Sequence, residues 1–246
     1  MLTNTVSRRM VTPKRFSSLL FLQFLVVSSS SRYVGENMKT TKPSFFHCNQ
    51  LSIETSPEVY EPAEDTFLLL ETLDVHPGDA VLELGTGTGI IALDCARRGA
   101  TVVCSDINPY AVSLTRRNLA RNRQLLNGPV EVRQGDLFLV LRPLECFNII
   151  VFNPPYLPTR SMERVGGWFD VATDGGPDGL RVIKRFIQGI TDHLTLHGHG
   201  YFLFSSLTER VILEKLLKQE RLEFEIPARR TFEGEELDVY AVTPTG

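Results

Sequence analysis

Cysteine is scarce in this chain: four residues in 246, Cys48, Cys95, Cys104 and Cys146. No two are spaced as C-x-x-C, which excludes a zinc knuckle and a thioredoxin-like redox pair. Cys95 and Cys104 stand in apolar stretches, where a small buried thiol is the simple reading. Metal-ligand patterns are also missing. His193, His197 and His199 gather around Gly198 and Gly200 without accompanying carboxylates, so they read as surface turn residues rather than ligands. A basic surplus is absent: 26 Lys and Arg stand against 29 Asp and Glu, a formal net charge of −3. That balance argues against a surface given over to nucleic acid, although a local patch can sit within a near-neutral total. No apolar run has membrane-spanning length; the longest, Phe16 to Val27, is short and interrupted by serine. What is present is ordinary for a globular enzyme, with 42% hydrophobic and 22% charged residues. The length suits one sizeable α/β domain without internal repeats.

Residues 1–55 differ from the rest. Arg8, Arg9, Lys14 and Arg15 precede the apolar run, Ser28 to Ser31 follow it, and the first acidic residue is Glu36. Basic, Ser-rich and acid-poor composition is that of a targeting segment. A secretory signal, an organellar transit peptide and a true translation start at Met38 all fit this pattern. The expected organisation is an N-terminal extension over 1–55, targeting or disordered, and one catalytic domain over 56–246.

From Ala63 onward, apolar strands alternate with amphipathic helices. Glu61-Pro62-Ala63-Glu64 opens a helix, with Pro in its first turn and carboxylates near the positive helix end. Strands are expected at 80–84, 101–105, 130–133, 147–152, 201–204, 222–226 and 237–242. Helices are expected at 90–98, 108–122, 180–194 and 208–218. Phe147 to Phe152 is apolar enough for a strand buried on both faces. This alternation predicts an α/β fold, a doubly wound, mostly parallel, seven-stranded sheet of the Rossmann-like kind.

Three strand ends carry chemistry. Glu83-Leu84-Gly85-Thr86-Gly87-Thr88-Gly89 joins a strand to a helix, and its glycines let the backbone turn sharply and approach a ligand. The spacing is G-x-G-x-G after an acidic residue, not the G-x-G-x-x-G of a dinucleotide site. A carboxylate beside the loop suits a cation better than a pyrophosphate. Asp106 ends the next strand and is placed to accept from two ribose hydroxyls. Asp136, after Gly135, is placed to accept from an adenine amino group, with Leu137 against the ring. Glu83, Gly85, Gly87, Asp106, Asp136 and Leu137 together describe a pocket for an adenosyl group bearing a sulfonium, as in S-adenosylmethionine.

Asn153-Pro154-Pro155-Tyr156 follows the fourth strand. Its two prolines remove two backbone donors. The remaining acceptors, the Asn153 side-chain carbonyl and the Pro154 backbone carbonyl, suit a substrate NH2 group. Bonding both hydrogens and excluding water supports positive charge as it develops on an amide nitrogen. Tyr156 is placed to stack on a planar group. Such a transfer needs neither a metal nor a strong base.

These segments, with Val59 to Leu70 and Asp174-Gly175-Gly176-Pro177-Asp178-Gly179, resemble class I methyltransferases of the HemK/PrmC type. The Tyr60-Glu61-Pro62-Ala63-Glu64-Asp65 opening is similar to the archaeal and eukaryotic HemK-related branch. The resemblance runs from about Val59 to the C-terminus. It implies methylation of the Gln side-chain amide in the Gly-Gly-Gln motif of a class I peptide-chain release factor, with S-adenosylmethionine as cofactor. It further implies a small zinc-binding activator subunit. By position, Thr66, Glu83, Gly85, Asp106, Asp136 and Asn153 match the family's cofactor contacts, and Asn153 to Tyr156 its substrate clamp.

The Asn-Pro-Pro-Tyr clamp alone also fits adenine N6 or guanine N2 in nucleic acid, and lysine targets have been proposed within the branch. Arg116, Arg117, Arg121 and Arg123 would supply the basic surface a nucleic acid needs. A cytoplasmic location is expected, or an organellar one if residues 1–55 act as a transit peptide. Trp168 reads equally as a border of the substrate mouth and as cover for the core.

Overall fold

The computed structural model of the protein describes residues 44–245, apart from 161, 163 and 165. The expected targeting features of residues 1–43 lie outside the described residues. Residues 44–55, expected within the extension, belong to the folded domain. β1 (Ser44–Cys48) and β2 (Leu51–Thr55) form an antiparallel hairpin. Asn49 and Gln50 turn it with positive φ at both central positions, as a type I′ hairpin turn requires. Period-two alternation buries Leu51 and Ile53 completely in the core. Polar residues over 44–55 disguise this strand pair, so the expected boundary at residue 55 moves upstream to the start of the hairpin.

The sheet follows from the strand–helix alternation. Its strands are β3 (Ala80–Leu84), β4 (Thr101–Asp106), β5 (Val130–Gln134), β6 (Phe147–Phe152), β7 (Leu194–Ser205), β8 (Leu222–Phe232) and β9 (Glu235–Pro244). Their order is β5-β4-β3-β6-β7-β9-β8, parallel from β5 to β7 and antiparallel at β9 and β8. The order reverses at β3 and β6, and the carboxyl ends of those two strands carry the glycine loop and Asn153.

The helices are α1 (Glu64–Thr72), α2 (Ile90–Arg97), α3 (Pro109–Asn122), α4 (Trp168–Thr173), α5 (Arg181–Ile190) and α6 (Arg210–Gln219). Ala63 caps α1, so Pro62 sits just outside the first turn, while Glu64 and Asp65 lie within it. Asn108 caps α3 as expected: its side chain accepts from Tyr110 N at 2.9 Å, with Pro109 at the first helical position. Two apolar clusters cover the faces of the sheet. One joins the hairpin, α1 and α2; the other joins α5, α6 and β9 and includes Phe152, Phe186, Phe202 and Tyr240.

β7 begins seven residues before its expected start, so His197 and His199 lie in a strand and not in a turn. Gly198 and Gly200 answer to close approach rather than to a bend. A Cβ at Gly198 would stand 2.8 Å from the Phe147 carbonyl, and one at Gly200 2.9 Å from a Val242 methyl. Among the described residues no His, Cys, Asp and Glu cluster could hold a metal ion. No described helix is long and apolar enough to cross a membrane.

Candidate active site

The glycine loop is held from three directions. Beneath it, the buried Glu83 carboxyl accepts from the Thr86 hydroxyl at 2.6 Å and from Ala92 N at 3.1 Å. Burial pushes this carboxyl up to about 8. Glu83 therefore braces the loop. In front, Asp106 Oδ2 accepts from Gly87 N and Oδ1 from Asn108 N, each at 2.9 Å. Burial raises the Asp106 carboxyl too. Behind, α3 supplies Thr115, whose hydroxyl donates to the Gly87 carbonyl at 3.1 Å, and the fully buried Asn118. Asn118 Nδ2 donates to the Thr88 carbonyl at 2.9 Å and to the Glu54 carbonyl at 3.1 Å, and its Oδ1 accepts from Glu54 N at 2.8 Å. One amide thus ties the loop to the N-terminal hairpin.

Gly87 has φ +55°, and a Cβ there would meet nothing nearer than the Tyr60 carbonyl at 3.9 Å. The Tyr60 backbone and the Val59 side chain thus pack against the loop at ordinary contact distance. Gly85 abuts the fourth strand end: a Cβ would lie 3.3 Å from the Phe152 ring and 3.9 Å from the Asn153 carbonyl. Gly135 N donates to the Asp106 carbonyl at 2.9 Å, which brings Asp136 and Leu137 to the same edge. Leu137 has φ +46° at the head of a short 3-10 turn. The sequence did not foresee the partner of Asp136: Arg185 of α5 engages both carboxylate oxygens, at 3.2 and 2.8 Å. That pair is part-exposed, and the carboxylate has lone pairs beyond those two bonds.

At the fourth strand end, Asn153 Nδ2 donates to Asp65 Oδ2 at 3.1 Å, while Asn153 Oδ1 is buried without a hydrogen-bond partner among the described residues. Leaving such an acceptor unpaired costs about 1–3 kcal/mol, which an incoming NH2 group would recover. The loop behind it is buttressed by the Gly-rich segment 174–179. Leu157 N donates to the Thr173 carbonyl, Gly175 N to the Leu157 carbonyl and Thr159 N to the Gly176 carbonyl. Asp174, itself buried, pairs with Arg164 and Arg181. Burial raises its carboxyl, but the Gly176 N–H together with the Arg181 and Arg164 guanidiniums outweighs this and holds it below the usual range. Trp168 is half-buried at the first position of α4.

Three site groups escaped the sequence reading. Asp65 appeared only inside the opening signature, yet it accepts from Tyr60, Thr66, Asn153 and Tyr156. Glu235 accepts from the Ser205 hydroxyl at 2.5 Å, and burial with the nearby Asp65 charge raises its carboxyl. Arg185 is the third. None has a local signal for the site, because the partners that place each there are distant in the chain: Asn153 and Tyr156 for Asp65, Ser205 for Glu235 and Asp136 for Arg185. The expected basic stripe on α3 is engaged elsewhere. Arg117 and Arg121 pair with Glu54 at 3.0 and 3.6 Å, and Arg121 lies over the Phe45 ring at 4.4 Å. Arg116 donates to the Val132 carbonyl.

A parallel sheet reversing beside a glycine loop, acidic strand ends and an Asn-Pro-Pro-Tyr clamp defines a Rossmann-like class I methyltransferase. Comparison with known proteins agrees. The model of the methyltransferase small domain family matches residues 52–166. A Methanocaldococcus jannaschii chain, assigned by inference as a protein N5-glutamine methyltransferase, is 43% identical over 192 residues, covering 77% of this chain and 93% of its own. Human methyltransferase HEMK2 is 30% identical over 218 residues, covering 85% and 98%. The structure of the E. cuniculi Mtq2–Trm112 complex, responsible for methylation of the eRF1 translation termination factor, superposes with a TM-score of 0.59 at 26% identity, covering 76% of this chain and 99% of that one. The chain belongs to the HemK-type methyltransferase family, in the branch of these archaeal and eukaryotic proteins.

Proposed function

We propose that this chain transfers a methyl group to the side-chain amide nitrogen of the Gln in the Gly-Gly-Gln motif of a class I peptide-chain release factor. The observation that carries the reading is the buried, unpartnered Asn153 Oδ1 beside a loop whose prolines offer acceptors and no donors. An amide NH2 presents two donors to such a site. Holding both aligns the nitrogen, and the buried surroundings stabilise charge as it develops there. S-adenosylmethionine, when bound, supplies an electrophilic methyl group. Thr66, Glu83, Gly85, Gly87, Asp106, Asp136, Leu137 and Asn153 are the residues proposed to hold it. An acidic set of this kind fits a cationic sulfonium and amino group.

Tyr60 and Tyr156 act as orienting groups in this scheme and not as bases. Burial, and then the Asp65 charge, hold both phenols well above their ordinary range, so they stay protonated. A small partner subunit is proposed by analogy with the Mtq2–Trm112 assembly, and zinc binding by that subunit is part of the proposal. The proposed location is the cytoplasm, with organellar import if the N-terminal segment directs it. Nucleic acid is the weaker substrate, since two of the four arginines that would contact it are committed to Glu54.

The test is a methyl-transfer assay with labelled S-adenosylmethionine, the full chain, a host release factor, and total RNA and DNA, with and without the host's small subunit. Label on the release factor that disappears when its Gly-Gly-Gln glutamine is replaced supports the reading. Label confined to nucleic acid overturns it.

A further inference from the structure

Asp65 is 3% exposed, and among the described residues each hydrogen bond that reaches it comes from a neutral donor. Oδ1 faces its own helix, taking Thr66 N at 2.6 Å and the Thr66 hydroxyl at 3.2 Å. Oδ2 faces the site, taking Asn153 Nδ2 and the Tyr60 hydroxyl at 3.1 Å each and the Tyr156 hydroxyl at 3.4 Å. Arg230 pairs with Glu64 and Glu71. A carboxylate accepts and cannot donate. An amide, by contrast, has two orientations of nearly equal shape that exchange its donor and acceptor ends. With a carboxylate oxygen at 3.1 Å, only one of the two is stable for Asn153: Nδ2 toward Asp65 and Oδ1 away from it. The opposite orientation sets oxygen against oxygen in a buried place. The chosen orientation is the one that leaves Oδ1 unpartnered.

We propose that Asp65 is a positioning residue for the transfer reaction, holding the Asn153 amide so that its oxygen, and not its NH2, meets the substrate nitrogen; this rests on the methyl-transfer reading above. Asp65 also selects for substrate. A turned clamp would offer a donor and favour an acceptor in place of an NH2 group. Tyr60 and Tyr156 share the same oxygen, so one carboxylate sets the ring and amide orientations of the clamp together.

The test is a double-mutant cycle on the full chain using Asp65→Ala, Asn153→Ala and the pair, read as kcat and KM on the release factor and as cofactor Kd. The expected result is a 10- to 100-fold loss of kcat for Asp65→Ala, with cofactor Kd changed less than threefold. In the Asn153→Ala background the same change should cost less than threefold, because its effect acts through Asn153. An equal loss in both backgrounds, or a loss confined to cofactor affinity, overturns the proposal. Asp65→Asn, which preserves shape, runs the same cycle if Asp65→Ala does not fold. The side-chain amide proton–nitrogen signals of Asn153, assigned by their absence in Asn153→Ala, give a readout independent of substrate. They should be shifted by the carboxylate in the wild type and lose that shift in the Asp65 variants. If the release factor proves not to be a substrate, the functional reading falls and these signals alone decide: retention of the shift without Asp65 overturns the positioning role, and its loss supports it.

Discussion

The Thr86 hydroxyl lies 2.6 Å from Glu83 Oε2, and this contact ties the glycine loop to the strand that launches it. The carboxyl is buried, and its ionisation is pushed up to about 8. The unfolded chain releases that proton near pH 4.3, roughly the ordinary glutamate value. Between these two pH values the folded state holds a proton that the unfolded state lacks. The stabilisation is therefore complete below the unfolded value and is lost as pH rises through about 8. Glu83→Gln preserves the acceptor oxygen and removes this titration. Thermal unfolding at pH 5, 6.5 and 8 should show the variant gaining steadily on the wild type. Parallel pH curves for the two proteins would refute the assignment.

Asp136 is predicted to serve the cofactor despite its pairing with Arg185. Asp136→Ala should weaken S-adenosylmethionine binding about tenfold, equivalent to about 1.4 kcal/mol, as measured by calorimetry. Arg185→Ala should change folding stability by less than about 1 kcal/mol, because both partners are part-exposed. A cofactor affinity insensitive to Asp136 would remove it from the site.

Asn118 joins the hairpin to the glycine loop through three buried hydrogen bonds. Asn118→Ala leaves Glu54 N and two carbonyls without their partner. A loss of about 3 kcal/mol is expected in denaturant unfolding, accompanied by weaker cofactor binding because Thr88 is released. Unchanged cofactor affinity in a folded variant would show that the hairpin supports the fold without supporting the loop.

Gly179 has φ +70°, and a Cβ there would stand 2.5 Å from the Tyr156 carbonyl and against Thr208. Gly179→Ala should cost about 1–3 kcal/mol in stability. It should also lower kcat more than it weakens cofactor binding, because the displaced neighbour is the substrate clamp. Steady-state kinetics alongside calorimetry separate the two effects.

The order of strands and helices, the glycine loop, Asp106 and the Asn153 clamp were legible because each is written in consecutive residues: an apolar run, a turn, a cap. The sequence by itself also determined that the three acidic strand ends would share an edge, since parallel strands joined by helices all point the same way. What it left undecided was every relationship carried across space. The hairpin over 44–55 joins the core because Leu51 and Ile53 are buried there and Asn118 and Asn122 of α3 accept its backbone donors. Glu83 became a brace for the loop because the fold brings the Thr86 hydroxyl and Ala92 N to its carboxyl. Asp136 acquired Arg185 only when α5 packed against the 3-10 turn that follows β5. The orientation of the Asn153 amide rests on Asp65, 88 positions earlier, and only the tertiary fold brings a carboxylate to that distance.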